Sequence, residues 1–227
     1  MTAPGTEPDR PATANARWPA GVLEGLDCAR PLCAVAGLGL GTAHVTEPEV
    51  LPAGPAEEAA AAAMRPERRR EFLAGRLAAR RALRAVGLDC GEIPRAGRLP
   101  LFPPGRAASL SHSAGVAVAV ARAPGRDTPL GCDLELRPLP AGAARLVLRE
   151  DEERLLRGAW TVTSLFSAKE AAFKALHRLR PMPGSLRGLR AEPDGDGLRV
   201  ALRTAPEAAV RVRVVPVGPG FFSWVRG

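Results

Sequence analysis

The run Val116-Ala117-Val118-Ala119-Val120 constrains the fold of this chain more than any other stretch. Valines alternate there with small residues, the period of a strand whose successive side chains point to opposite faces. A Gly/Pro-rich loop from Gly97 to Gly105 leads into it through Ser109-Leu110-Ser111-His112-Ser113, and a turn around Pro124-Gly125 follows it before Leu130 to Leu136. The pattern predicts a central hairpin that divides the 227 residues nearly in half. On its N-terminal side, residues 1–25 are expected to form a disordered or loosely packed arm, being rich in Pro, Ala, Thr and Gly without periodicity for most of that length. A strand is expected at Leu32 to Leu40, a loop at Pro48 to Pro55, and one or two helices from Glu57 to Val86 that break at Pro66 and stop at Gly87. On its C-terminal side, helices are expected at Arg149 to Arg157 and Thr163 to Arg178. Strands follow at Leu186 to Ala191, Leu198 to Leu202, Val210 to Val217 and Phe221 to Val225, with Asp194-Gly195-Asp196-Gly197 as a turn. Each half thus runs strand, helices, strands, so residues 26–128 and 129–227 are expected as two related subdomains of a mixed α/β (α+β) fold.

No apolar run approaches the roughly 20 residues of a membrane span, and Glu7 and Asp9 without an apolar stretch argue against a signal peptide. The expectation is a soluble cytoplasmic protein. Cys28, Cys33, Cys90 and Cys132 form no C-x-x-C pair, which fits reduced thiols. A net charge of +8 implies an anionic partner: nucleic acid, a polyphosphate ligand or an acidic protein. Nucleic acid is disfavoured, because the basic residues are spread out, tyrosine is absent, and no zinc-finger or RNA-binding motif occurs. Of 32 basic residues only Lys169 and Lys174 are lysines. In an arginine-biased chain, two lysines in one short segment suggest a task for a compact ammonium rather than a planar guanidinium.

Three segments carry candidate chemistry. In Gly131-Cys132-Asp133-Leu134-Glu135-Leu136 the strand period puts Asp133 and Glu135 on one face, Cα atoms about 6.6 Å apart, within reach of one ion. Hard oxygen ligands suit Mg²⁺, although D-x-E alone is more commonly a solvated strand face. In Phe166-Ser167-Ala168-Lys169-Glu170-Ala171-Ala172-Phe173-Lys174, residues 166, 170 and 174 share a helical face; alone, Glu170 and Lys174 would read as a surface pair. Ser111-His112-Ser113 offers hydroxyls, an imidazole and backbone N–H groups to an anion, or equally a hydrogen-bonded turn. No G-x-S-x-G elbow supports a catalytic triad. Upstream, Phe72, Ala79, Leu83 and Val86 form a core stripe on a helix whose other stripe is Arg69, Arg76, Arg80 and Arg84.

Taken in order, Phe72 to Leu83, Arg98-Leu99-Pro100-Leu101-Phe102-Pro103, Ser109 to Ser113, Gly131 to Glu135 and Phe166 to Lys174 resemble the 4'-phosphopantetheinyl transferases of the surfactin-synthetase-activating and enterobactin-synthetase-component type. The resemblance covers roughly residues 65 to 180. Cys132 stands where that family usually has Ile or Val, and Phe166 where several members have Trp. The resemblance implies a monomer of two similar, pseudo-symmetric subdomains, each a small sheet packed with helices, with a ligand cleft between them. It implies coenzyme A as substrate and Mg²⁺ as cofactor, held by Asp133, Glu135 and Glu170. Glu170 would act as base towards the serine of an apo acyl- or peptidyl-carrier protein, and Lys174, with Lys169, would offset phosphate charge. Arg76 and His112 would meet the coenzyme's phosphates, with Arg69, Arg80, Arg98, Pro100, Ser111 and Asp133 as further contacts. The alternatives are a catalytically silent coenzyme A-binding protein and a basic nucleic-acid-binding module.

Overall fold

A computed structural model describes residues 18–177 and 183–226. The chain begins with helix α1 (Val22–Val35) and strand β1 (Leu38–His44), followed by α2 (Pro55–Ala62) and α3 (Pro66–Arg84). Two short strands, β2 (Arg95–Ala96) and β3 (Leu99–Pro100), precede β4 (Ala108–Ser113), β5 (Val116–Arg122) and β6 (Cys132–Glu135). A short helix α4 (Ala144–Val147), a 3-10 segment (Glu150–Arg157) and α5 (Val162–Leu176) come next. The strands β7 (Leu189–Asp194), β8 (Gly197–Leu202), β9 (Ala205–Val217) and β10 (Gly220–Arg226) complete the described chain. Pro66 stands in the first turn of α3, where its missing N–H has no helical partner to lose, which is why the helical stretch restarts there.

Two antiparallel sheets organise these elements, in the orders β1-β5-β4 and β6-β10-β9-β8-β7, with β2 and β3 as a separate ribbon. Helix α3 covers the first sheet and α5 the second, so the two halves share one build, a mixed α/β architecture. The alternation that opened the sequence reading has a direct use. Ala117, Ala119 and Ala121 face α3 and meet Ala74, Ala78 and Ala82, while Val118 and Val120 face a second core with Leu134 and Trp224. The approach of α3 is so close that a Cβ on Gly41 would lie 2.1 Å from the carbonyl oxygen of Ala78. On the other side, a Cβ on Gly131 would lie 2.0 Å from that of Ala171 on α5.

Three expectations are corrected. Leu32 to Val35 belong to α1, not to a strand: Val22, Leu26, Ala29 and Cys33 recur at helical spacing and all four are buried, with Pro31 accommodated inside the helix. The strand starts three residues later, after Gly37 in a left-handed conformation (φ 71°). Within the segment expected to be loose, residues 1–17 lie outside the described residues, and α1 begins at Val22. The central hairpin expected across Pro124-Gly125 does not form; β5 instead makes a hairpin with β4 through Ala114-Gly115, both with positive φ. Strand β6 does not pair with β5, because both edges of β5 are taken by β1 and β4; it crosses to the second sheet and pairs with β10.

Candidate active site

Strands β4 and β6 are the facing edges of the two sheets, and serine side chains join them. Ser109, Ser111 and Ser113 share one face of β4. The N–H of Cys132 donates to Ser109 Oγ (3.0 Å), and that of Leu136 donates to Ser113 Oγ (3.0 Å), so hydroxyls satisfy an edge that would otherwise be unpaired. Ser111 Oγ donates to Asp133 Oδ1 and Ser113 Oγ to Glu135 Oε1, each at 2.9 Å. The alternation expected in this segment holds: Cys132, Leu134 and Leu136 enter the core, and Asp133 and Glu135 take the opposite face. That face is not solvated, for Asp133 is 6% exposed.

Helix α5 lies against this face and supplies Glu170 and Lys174. Lys174 Nζ donates to Asp133 Oδ1 and to the carbonyl of Cys132, both at 2.9 Å. Burial opposes the charge of Lys174, but Asp133, Cys132 and Glu170 outweigh it and its pKa rises. Burial, helped by the charge of Asp133 and opposed by Lys174, raises the pKa of Glu170 above the ordinary carboxylate range. Asp133 Oδ2 is buried without a hydrogen-bond partner among the described residues, and so is Ser223 Oγ, whose residue lies directly across the strand pair from Asp133. Directly opposed residues in an antiparallel pair project to the same side. Two unsatisfied polar atoms therefore share the sheet face beneath α5.

The structure brings Asp133, Glu170 and Lys174 together. Glu135 keeps the same face of β6, but its carboxylate accepts from Ser113 and from the N–H of Arg137. Among the described residues, no three His, Cys, Asp or Glu side chains converge as a metal-holding cluster. Lys169 is placed elsewhere: its ammonium is fully buried and donates to Glu152 and to the carbonyls of Val147, Leu186 and Leu189. Arg80 is buried in an ion pair with Glu57 (2.7 Å). Arg76 is also buried; its Nε donates to the carbonyl of Ile93, its guanidinium stacks 4.5 Å from the Phe72 ring centroid, and burial pushes its pKa down to about 10. The arginine stripe on α3 is thus solvent-facing only at its ends, Arg69 and Arg84. Arg98 is exposed between β2 and β3, and Pro100 is half-buried in β3.

His112 points from β4 towards the first turn of α3, where Arg68 Nη1 lies 2.6 Å from its Nε2 and Glu71 is 3.9 Å from its Nδ1. Burial is the main cause of its depressed pKa. Sequence reasoning missed Arg68 in favour of its neighbour Arg69; one position turns a helical side chain by about 100°, and only the docked helix shows which one faces β4. It also missed Ser109 and Ser223. The period-two serines were a usable signal for the first, and nothing in the sequence marks the second.

Residues 56–122 match the family described as the 4'-phosphopantetheinyl transferase N-terminal domain, the family that the motifs of the sequence resemble. Among curated relatives, enterobactin synthase component D of Salmonella typhi is 35% identical over 128 residues, 52% of this chain and 52% of that protein. The 4'-phosphopantetheinyl transferase Npt of Nocardia iowensis is 35% identical over 144 residues, 60% of this chain and 65% of that protein. Enterobactin synthase component D of Escherichia coli (strain K12) is 35% identical over 119 residues, 48% and 55% respectively. The match therefore spans about half the length of the enterobactin synthase relatives.

Proposed function

We propose that this protein transfers the 4'-phosphopantetheine group of coenzyme A to a serine of an apo acyl- or peptidyl-carrier protein, releasing 3',5'-ADP. The observation that carries the reading is Asp133, bonded through one oxygen to Lys174, with its other oxygen buried and without a partner among the described residues, and Glu170 near enough to feel the charges of both. The same orphaned oxygen is the test of fit for a cation. A buried Asp133 with one oxygen unsatisfied among the described residues, beside a second acid whose charge it disfavours, suits a divalent ion. Asp133 and Glu170, with Glu135 further along β6, would hold Mg²⁺, which when bound supplies neutralisation of pyrophosphate charge.

The chain's own residues account for the remaining requirements. The carrier serine's Oγ attacks the β-phosphorus of coenzyme A, and the bond from that phosphorus to the 3',5'-ADP oxygen breaks. Glu170, or a water it positions, takes the serine proton; its raised pKa makes it a better acceptor near neutrality than an ordinary carboxylate. Lys174, held at Asp133, places an ammonium where phosphate charge gathers. His112 with Arg68, and the exposed Arg69 on α3, would form the positive approach to the coenzyme's phosphates, with the buried Arg76 adding charge behind them. Lys169 and Arg80 have no part in it, their charges being matched by Glu152 and Glu57.

The excess of positive charge would steer an acidic carrier. The relatives named for enterobactin synthesis favour a carrier of siderophore or other peptide synthesis. We further propose a cytoplasmic monomer; no helix among the described residues is long and apolar enough to cross a membrane. The direct test incubates the protein with coenzyme A, Mg²⁺ and a panel of apo carriers and reads the mass of each carrier. A gain of one phosphopantetheine is expected, and no gain on any carrier refutes the reading. The second reading, a catalytically silent coenzyme A-binding protein, draws on Glu135 being bonded to Ser113 and not converging with the other acids. It predicts coenzyme A binding without that mass gain.

A further inference from the structure

The carboxylate of Asp133 is held entirely through one of its oxygens. Ser111 Oγ and Lys174 Nζ both donate to Oδ1, at 2.9 Å each, from two different elements, β4 and α5. Oδ2 is buried and has no partner among the described residues. Two donors on one oxygen fix which oxygen is satisfied and which is presented, since rotation about the Cβ–Cγ bond would break both bonds at once. In this bond Ser111 is the donor and the carboxylate oxygen the acceptor.

Ser113 repeats the arrangement two residues along. It accepts the N–H of Leu136 and donates to Glu135 Oε1, so its single proton is committed to the carboxylate. Ser109 accepts from the N–H of Cys132, which anchors the same register at the other end. The three hydroxyls thus fix β6 along its length and aim its two acids from behind. The ladder to β10 holds the register of β6 from its other edge but does not orient the two carboxylates.

We infer that Ser111 is a positioning residue: through Oδ1 it orients Asp133 so that Oδ2 is presented to a divalent cation. The inference rests on Asp133 as a cation ligand, and it assigns Ser111 to the metal side of the site instead of the coenzyme side. Partners of this kind behind a ligating carboxylate commonly control metal affinity by tenfold or more.

The test uses the full chain without coenzyme A, titrated with Mn²⁺ while electron paramagnetic resonance reads the free ion. Ser111→Ala is expected to weaken Mn²⁺ binding about tenfold, and Ser111→Thr, which keeps a hydroxyl, to stay within about threefold of the unaltered protein. Asp133→Asn should abolish the site. If Ser111→Ala binds Mn²⁺ as tightly as the unaltered protein while Asp133→Asn does not bind, the positioning role is wrong and the cation site stands. If the unaltered protein takes up no Mn²⁺, or Asp133→Asn binds as well as it does, the cation site and the positioning role fall together. Circular dichroism melts accompany each variant. Should Ser111→Ala fail to fold, Ser111→Cys, close in size but a weak donor, is expected to show the same loss of affinity, and unchanged binding in it overturns the inference.

Discussion

Lys169 and Lys174 lie on the same helix, yet their ammonium groups end in two acid clusters that differ in completeness. Around Lys169, Glu152 receives the ammonium, Arg203 and the N–H of Ala191, and three carbonyls take up what the ammonium has left to donate. Around Lys174, Asp133 has one oxygen doubly satisfied and the other unsatisfied, and Glu170 is pushed towards protonation beside it. A cluster whose buried ammonium and carboxylate are both partnered holds a fold together, because the cost of desolvating the pair is offset; here only Arg203 Nε is left over among the described residues. An open one leaves a group able to engage something else. The contrast separates a structural ion pair from a site more sharply than either residue's identity does.

The comparison can be broken most visibly at Glu170. Glu170→Gln should lower the rate of carrier modification by about 10² to 10⁴, the span of general base catalysis, while leaving the thermal melt nearly unchanged. Full activity in that variant would remove Glu170 from the chemistry. On the closed side, Lys169→Ala strands Glu152 without its ammonium and should cost about 3–5 kcal/mol in denaturant unfolding, a loss that Glu170→Gln must not show. If Lys169→Ala instead proved as stable as the unaltered chain, the closed cluster would not be structural.

The titration of Glu170, followed by carboxyl-labelled NMR in metal-free protein, sharpens the contrast further. Its midpoint is expected above the ordinary 4.5, lowered by Asp133→Asn and raised by Lys174→Met, because Asp133 repels its charge and Lys174 favours it. A raised carboxylate pKa means that protonation favours the folded state. The contribution of Glu170 to stability is therefore complete below pH 4.5 and is lost as pH rises through its folded value. An unshifted midpoint in Asp133→Asn would show that the two acids do not sense each other. The smallest effect belongs to an exposed pair: Asp27→Ala, which frees Arg30 on the surface of α1, should change stability by less than about 0.5 kcal/mol.

The sequence was most informative where one period decides the outcome. The alternation from Cys132 to Leu136 put Asp133 and Glu135 on one face, and the spacing of Glu170 and Lys174 put them on one side of a helix, as the structure has them. It was less informative where two elements must dock before a residue's role exists. Five residues along a helix turn a side chain by about 140°, so Lys169 could not share a face with Lys174; the motif had grouped them by proximity in the chain. Ser111-His112-Ser113 suits an anion or a hydrogen-bonded turn equally by its sequence, and only the docking of β6 shows that the protons of Ser111 and Ser113 go to its carboxylates. The helical spacing of Val22, Leu26, Ala29 and Cys33 was present throughout, masked by a proline that the packed helix accommodates.

One core of the molecule draws on both halves: Val22, Leu26, Leu38 and Leu40 with Val118 and Val120 on one side, Leu134, Leu136, Phe222 and Trp224 on the other. A nascent chain synthesised only as far as residue 128 would lack the second set, leaving α1 and one face of its sheet bare to water. Such an intermediate should bind holdase chaperones and protease until β10 emerges and closes over it.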